Sequence, residues 1–431
     1  MDAAPFAPGQ ERPVFFAMCG DDCELFFERD QFNEKQQAEH RENRDLTSLL
    51  QVALMFMGKP ADHVALFDTF LEPRWRGLLD TFNGLYRNIC GPVVPLEHCH
   101  FYPHESFYPR AAADRTLGAL AGLYMISGSN KAVHQSDQHW LISQAVNSKM
   151  RLAQDAPAYG IPTPETLLTT KGDLGGPEAN AFFTRHNRQL MLKIKGLAGA
   201  RNVTPVQGVA ECESYLDLFD AGTEVVLQER LDTDEWTEMT VDLTVSDSNI
   251  EITNVRRILF ADGLWVGNYL RDDLPLSDRH REALLNVGAY VRSLGYRAPE
   301  GLNCGIDYFT NGDDIRIIET NARWTGGLFP AWMRKRLKLG NRPTVSFFDS
   351  ISVDRLAEYQ AFAEAHLHRP GEQPFSAVPL GFSPYTFTMD GRELLFIWQM
   401  VIGDLEAFKQ AKHSVLGPGE MATADKITLD F

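Results

Sequence analysis

The stretch from Gly301 to Pro330, GLNCGIDYFTNGDDIRIIETNARWTGGLFP, constrains the fold more than any other part of the chain. Two strand-like runs, Asn303 to Phe309 and Ile315 to Asn321, flank the turn cluster Thr310-Asn311-Gly312-Asp313-Asp314. Asn-Gly and Asp-rich turns between alternating apolar runs are hairpin signals, because these residues tolerate the backbone angles a tight turn needs. A hairpin centred near Asp313 sets Asp307 opposite Glu319. Side chains alternate faces along a strand, so Glu319 and Asn321 share one face, Ile318 falls on the other, and Arg323 lies just past the strand end. Acids in an apolar hairpin are costly to bury unless a cation compensates them. Asp307, Glu319 and Asn321 offer three oxygen ligands and leave positions for phosphate oxygens and water, which suits a hard divalent cation such as Mg2+.

The surrounding chain can carry such a site. Its 431 residues, 44% hydrophobic, suffice for about two to four domains with real cores. A formal net charge of −17 argues against a nucleic-acid surface and against an anionic membrane. An anionic ligand therefore needs a local basic pocket. The N-terminus, MDAAPFAPGQERPVFF, lacks a basic segment followed by a long apolar run, so no signal peptide is expected. No segment approaches the roughly 18 uninterrupted apolar residues of a membrane span. Six cysteines, at 19, 23, 90, 99, 212 and 304, are scattered as free thiols of a reducing cytoplasm would be.

Apolar periodicity gives an α/β (α+β) chain. Pro13 to Cys19 reads as a buried strand and Glu28 to Asp45 as a charged helix or loop. Leu46 to Met57 and Val64 to Leu85 carry helical spacing, Val93 to Leu96 looks like a strand, and Leu117 to Ser127 is apolar. A helix over Asp137 to Ala158 breaks at Gly160-Ile161-Pro162-Thr163-Pro164. Strands are expected at Leu190 to Ile194, Val225 to Leu231, Thr237 to Val245 and Ile250 to Phe260, and a helix over Ser277 to Leu294. Ser350 to His368 reads as a further helix, and the tail holds short strands at Tyr385 to Met389 and Leu394 to Val401.

Upstream of the hairpin, Leu190 to Val206 delivers Lys193 from a strand into a loop holding Gly196, Ala198, Gly199 and Ala200. Small residues let backbone N–H groups approach phosphate oxygens, and Lys193, Lys195 and Arg201 add positive charge. This is not the GxxxxGK[ST] pattern of a P-loop. His98-Cys99-His100 with His104, and Cys19 with Cys23, match no structural zinc spacing and read as a strand edge and a buried thiol.

Taken in order, Asn147-Ser148-Lys149, Gly160 to Pro164, Lys193 and its loop, Val225 to Leu231, Glu238 to Asp242 and the closing acid–x–Asn–x–Arg hairpin resemble the ATP-grasp superfamily. The resemblance covers about residues 130 to 335. It implies an N-terminal α/β domain over 1–140, grasp subdomains over 141–228 and 229–345, and a C-terminal appendage over 346–431. It implies ATP held by Lys149, Lys193 and the loop glycines Gly196 and Gly199, with adenine along Gln228, Glu229, Arg230 and Leu231 and an acid at Glu238. Asp307, Glu319 and Asn321 match the ligands of two Mg2+ ions, and Arg323 matches an arginine at the acyl phosphate. Gly305 stands where several relatives carry a transition-state arginine, leaving Arg256, Arg257 or Arg271 to supply that charge. Arg257 joins Arg323 and Lys193 as the catalytic candidates, and backbone N–H groups near Thr325-Gly326-Gly327 would meet an oxyanion.

The implied activity is an ADP-forming carboxylate–amine ligase of the peptide or amino-acid kind, as in bacterial specialised metabolism. Its partners are a small carboxylate and an amine, not nucleic acid or membrane, and a homodimer stays open. A small-molecule kinase on the same scaffold, or a nucleotide-binding regulator without turnover, are the alternatives.

Overall fold

The computed structural model describes residues 13–19, 23–27, 29–122, 137–195, 203–371 and 373–429. Its first unit is a parallel sheet of β1 (Val14–Ala17), β2 (His63–Phe67), β3 (Cys99–Tyr102) and β4 (Ala119–Gly122), in the order β3-β2-β1-β4. Near-continuous apolar runs are what a parallel strand covered on both faces requires, and all four side chains of β1 are buried. Its two long helices are α1 (Glu34–Met57) and α2 (Pro73–Cys90). An Asn33–Gln36 capping box starts α1, so the charged segment before Asp45 and the apolar one after it are turns of one helix. The helical spacing seen from Val64 onward splits. Val64 to Phe67 pairs with β1 and β3, and the helix waits for Pro73 at its first turn. Val93 to Leu96 forms no strand, and β3 begins at Cys99 instead.

Two short helices, α3 (Asp137–Val146) and α4 (Lys149–Asp155), lead into a smaller antiparallel sheet. Its strands are β5 (Thr166–Thr170), β6 (Leu190–Ile194), β7 (Val203–Val206) and β8 (Glu224–Glu229), ordered β5-β8-β6-β7. Helices α5 (Pro177–Arg185) and α6 (Val209–Tyr215) share its own core of Phe182, Phe183, Leu192, Cys212 and Leu227.

The third unit is an eight-stranded antiparallel sheet, ordered β13-β12-β9-β10-β11-β14-β16-β15. Its first strands are β9 (Thr237–Val245), β10 (Ile250–Ala261), β11 (Leu264–Leu270), β12 (Leu302–Asn311) and β13 (Asp314–Asn321). One face packs on α7 (Asp278–Ser293) through Val241, Leu243, Leu284, Val287, Ile306 and Ile317. Helix α8 (Leu328–Leu337) follows the hairpin.

The C-terminal residues extend this sheet. Strand β14 (Thr344–Ser352) runs through residue 345 and pairs with both β11 and β16 (Arg392–Gly403), and β15 (Phe375–Met389) forms the edge. Ser350 to Ser352 therefore belong to a strand, and the expected helix begins only at Leu356, as α9 (Leu356–Ala365). The core of the N-terminal sheet is continuous with these strands and with α8. At Gly381 a Cβ would sit 2.2 Å from the carbonyl oxygen of Leu49, so only glycine lets β15 lie against the backbone of α1. No helix among the described residues is long and apolar enough to cross a membrane.

Candidate active site

The hairpin pairs as its sequence predicts: Asp307 faces Glu319, and Gly305 faces Asn321. One detail differs. The register shifts between Asp307 and Tyr308, with Glu319 and Ile317 as successive partners, so Ile318 is the extra residue of a β-bulge. Released from strict alternation, Ile318 lines the same cavity as Glu319 and Asn321 rather than the opposite face.

That cavity, about 180 Å³, lies between the small sheet and the large one. Lys193 enters it from β6, Glu238 and Thr240 from β9, and Asp307, Glu319 and Asn321 from the hairpin. Leu46 and Leu50 of α1 and Trp265 of β11 close other sides. Lys149, held at the head of α4 by its N-cap Ser148, reaches Glu319 with Nζ 3.3 Å from Oε2. The neighbouring Asn147 ties this helix to the segment after β13. Its Oδ1 accepts from the Ala322 N–H at 2.9 Å and from Arg323 at 3.4 Å. The Gly-Ile-Pro segment does the same further along, where the Pro162 carbonyl accepts the Ile317 N–H at 2.7 Å. Gly160 makes the turn before it, at φ +64°.

Electrostatically the cavity is unsettled. Burial and the neighbouring Glu319 push the Asp307 carboxyl up to about 6. Burial and then Asp307 raise Glu238 to about 8. Burial, reinforced by Lys149, lowers Lys193 to about 8, although three carboxylates oppose the shift. Asn321 donates Nδ2–H to Asp307 at 2.8 Å, while its buried Oδ1 finds no partner among the described residues. No three His, Cys, Asp or Glu side chains among the described residues hold a metal alone. Two carboxylates and one unsatisfied amide oxygen form a hard, incomplete donor set, which fits Mg2+ sharing its octahedron with phosphate oxygens and water.

Beside it lies a second cluster. Asp242, fully buried, accepts from Arg256 at 2.5 Å, Asn254 at 3.0 Å, Asn303 at 3.1 Å and the Thr325 hydroxyl at 3.2 Å. Among the three arginines left to replace one at position 305, Arg256 alone lines the cavity. A side chain at Gly305 has no room, since its Cβ would lie 2.4 Å from Thr325 Cγ2. Arg257 corrects the expectation: it follows Arg256 on a strand whose side chains alternate, and it is not part of the cavity wall. Arg271 is held by Asp273 at 2.6 Å, away from Asp307.

The remaining expected residues fall as follows. Lys195 pairs with Glu224, leaving Lys193 to face the carboxylates. Gln228 donates to the Thr166 hydroxyl at 2.9 Å, and the Glu229 carboxylate accepts the Glu165 N–H at 3.2 Å. With Arg230 and Leu231 they carry the chain from the small sheet to the large one and do not line the 180 Å³ cavity. Gly196, Gly199 and Arg201 lie outside the described residues. Sequence reading overlooked Asn147 and Thr240 as site residues and α1 as a wall. An asparagine beside an N-cap serine gives no functional signal by itself. The histidines behave as a strand edge: His63 Nδ1 lies 3.0 Å from His100 Nε2, and His98 stacks on His63.

One lysine from the small sheet and one from the head of α4, facing acids of the large sheet across a cleft behind an N-terminal α/β unit, make the arrangement of the ATP-grasp fold. Solved structures agree nearly end to end. The carboxyaminoimidazole ribonucleotide synthase from Aspergillus clavatus, complexed with ATP, superposes with a TM-score of 0.55 at 12% identity, covering 97% of this chain and 99% of its own. The biotin carboxylase domain of the Hydrogenobacter thermophilus 2-oxoglutarate carboxylase, with MgADP and bicarbonate, gives 0.56 at 12% identity over 95% and 90%. Phosphoribosylamine–glycine ligase from Thermotoga maritima gives 0.53 at 11% identity over 93% and 96%. No family model matches the chain, and no curated protein matches its sequence.

Proposed function

We propose that the chain is an ATP-dependent carboxylate–amine ligase that releases ADP and phosphate. The observation that carries this reading is the meeting of Lys149, Lys193, Glu238, Asp307, Glu319, Asn321 and Arg256 at one cleft between two sheets. The site holds two buried carboxyls, Asp307 and Glu238, that burial and mutual repulsion push above their ordinary range, and one buried lysine, Lys193, held below its own. Mg2+-bound triphosphate satisfies both.

A carboxylate does not acylate an amine at neutral pH because its oxide is a poor leaving group. In the proposed reaction a carboxylate oxygen attacks the γ-phosphorus, the bond to the β–γ bridging oxygen breaks, and ADP leaves. The amine then attacks the acyl carbon, loses a proton, and expels phosphate. Phosphoryl transfer asks the protein for alignment and charge neutralisation rather than a covalent step. Lys149 and Lys193 would hold phosphate oxygens, while Asp307, Glu319 and the Oδ1 of Asn321 would hold Mg2+. Bound there, Mg2+ would neutralise charge on the β- and γ-phosphates. Arg323 and Arg256 face the acyl end, with the backbone at Thr325 to Gly327 beside them. Adenine lies along Gln228 to Leu231. The substrates are read as amino acids or small peptides.

The test is ADP release from purified protein, ATP and Mg2+ over pairs of carboxylates and amines, with products weighed by mass spectrometry. Release requiring both partners supports the ligase. Release with a hydroxyl compound and no amine makes the protein a kinase, and AMP with pyrophosphate rules out the acyl-phosphate route.

A further inference from the structure

The cleft around Asp307 is small. At about 180 Å³ it has room for terminal phosphates and a reacting group, not for the body of a second substrate as well. A cavity of about 700 Å³ lies on the same face of the large sheet, beneath α8, and Trp324 lines both. The Asp242 network stands between them: Asn254 and Asn303 line the large cavity, and Arg256 and Thr325 line the small one.

The large cavity has a definite chemistry. Leu270, Leu274, Leu276, Leu328, Trp324 and Trp332 give it an apolar, partly aromatic wall. Five cationic side chains line it against two acidic ones, in a protein whose net charge is −17. Arg334 is committed to Asp272 at 3.1 Å, but Arg281, Lys335 and Lys338 stand at the exposed wall. Arg271, held by Asp273 at 2.6 Å, adds a further cation to this wall. An apolar floor under a basic rim selects an amphipathic anion, since burial of the body and charge attraction add.

We propose that this cavity holds the body of the non-nucleotide substrate, and that this substrate is an anion with a large apolar, aromatic-sized body. The assignment rests on the ligase reading for the word substrate, while the binding it requires does not depend on turnover.

The test is calorimetric binding of 3-phenylpropionate and its uncharged amide, without ATP. The wild-type protein binds the acid roughly ten-fold more tightly than the amide. In the Arg281→Glu/Lys335→Glu variant that preference disappears, and Ala331→Phe, which fills the cavity, abolishes binding of both while ATP still binds. No binding of the acid, equal binding of acid and amide, or acid binding that survives Ala331→Phe each overturns the assignment. If Ala331→Phe does not fold, the surface charge reversal decides alone. ADP release from a carboxylate–amine pair that Ala331→Phe leaves unchanged overturns the cavity and spares the ligase. Cavity binding as expected, with no ADP release from any pair, overturns the ligase and spares the cavity.

Discussion

Two groups of charge share one face of the eight-stranded sheet and have opposite characters. Around Asp242 every acceptor position is used, by Arg256, Asn254, Asn303 and Thr325, and the ion pair is sealed from water. Around Asp307, two strands of the same sheet bring acids together without enough donors, so carboxyls sit above their ordinary range and one amide oxygen goes unpaired. The first cluster satisfies its carboxylate as folded, with only the Arg256 Nε–H left without a partner among the described residues, and it holds the sheet in place. The second is completed only by a ligand. Buried polar groups that satisfy one another are structure, and those that do not are a site in waiting.

The comparison breaks or sharpens under four measurements. The largest effect is expected from Asp242→Ala, which strands Arg256 without its counter-charge. Unfolding free energy in denaturant should fall by about 3–5 kcal/mol, and a fall below about 1 kcal/mol would make the network no more than ornamental. Glu319→Gln should do the reverse, lowering ADP release by roughly 100- to 1,000-fold with stability within about 1 kcal/mol of wild type. A variant that unfolds instead would erase the distinction between the clusters.

A moderate effect concerns pH. Mg2+ needs ionised carboxylates, and Asp307 at about 6 still binds a proton in mildly acidic solution. Mg2+ affinity should therefore climb as pH rises through about 6, with proton release visible by calorimetry in buffers of different ionisation enthalpy. A flat profile counts against these ligands.

The smallest effect lies far from either cluster. Burial first, then the neighbouring histidines, lowers His63 below its ordinary 6.5, and burial does the same for His100. The unfolded chain then takes up protons first as pH drops. Their contribution to stability is complete above 6.5 and is lost as pH falls through the lowered values. His63→Gln should flatten that slope in acid unfolding curves.

The hairpin and its facing acids were legible because turn chemistry and alternation are local. Strands β6 and β9 were legible for the same reason, with their bounds at Leu190–Ile194 and Thr237–Val245. What failed was non-local. Bulges at Ile318 and between Ile252 and Asn254 break the alternation that places a side chain, so choosing Arg257 over Arg256 had no basis in spacing. The tail was misread as an appendage because short apolar runs do not state their partners, and β14 finds β11 only across some 75 residues of chain. The roof of the cleft was hidden too, since Leu46 and Leu50 look like any apolar helix face.

Gly381 has a wider consequence. The seam it permits joins helix α1 to a strand far along the chain, so the first hydrophobic layer closes only when those two distant segments meet. Cutting the chain before β15 would uncover that face of α1, so the N-terminal unit depends on a distant strand to finish its own burial.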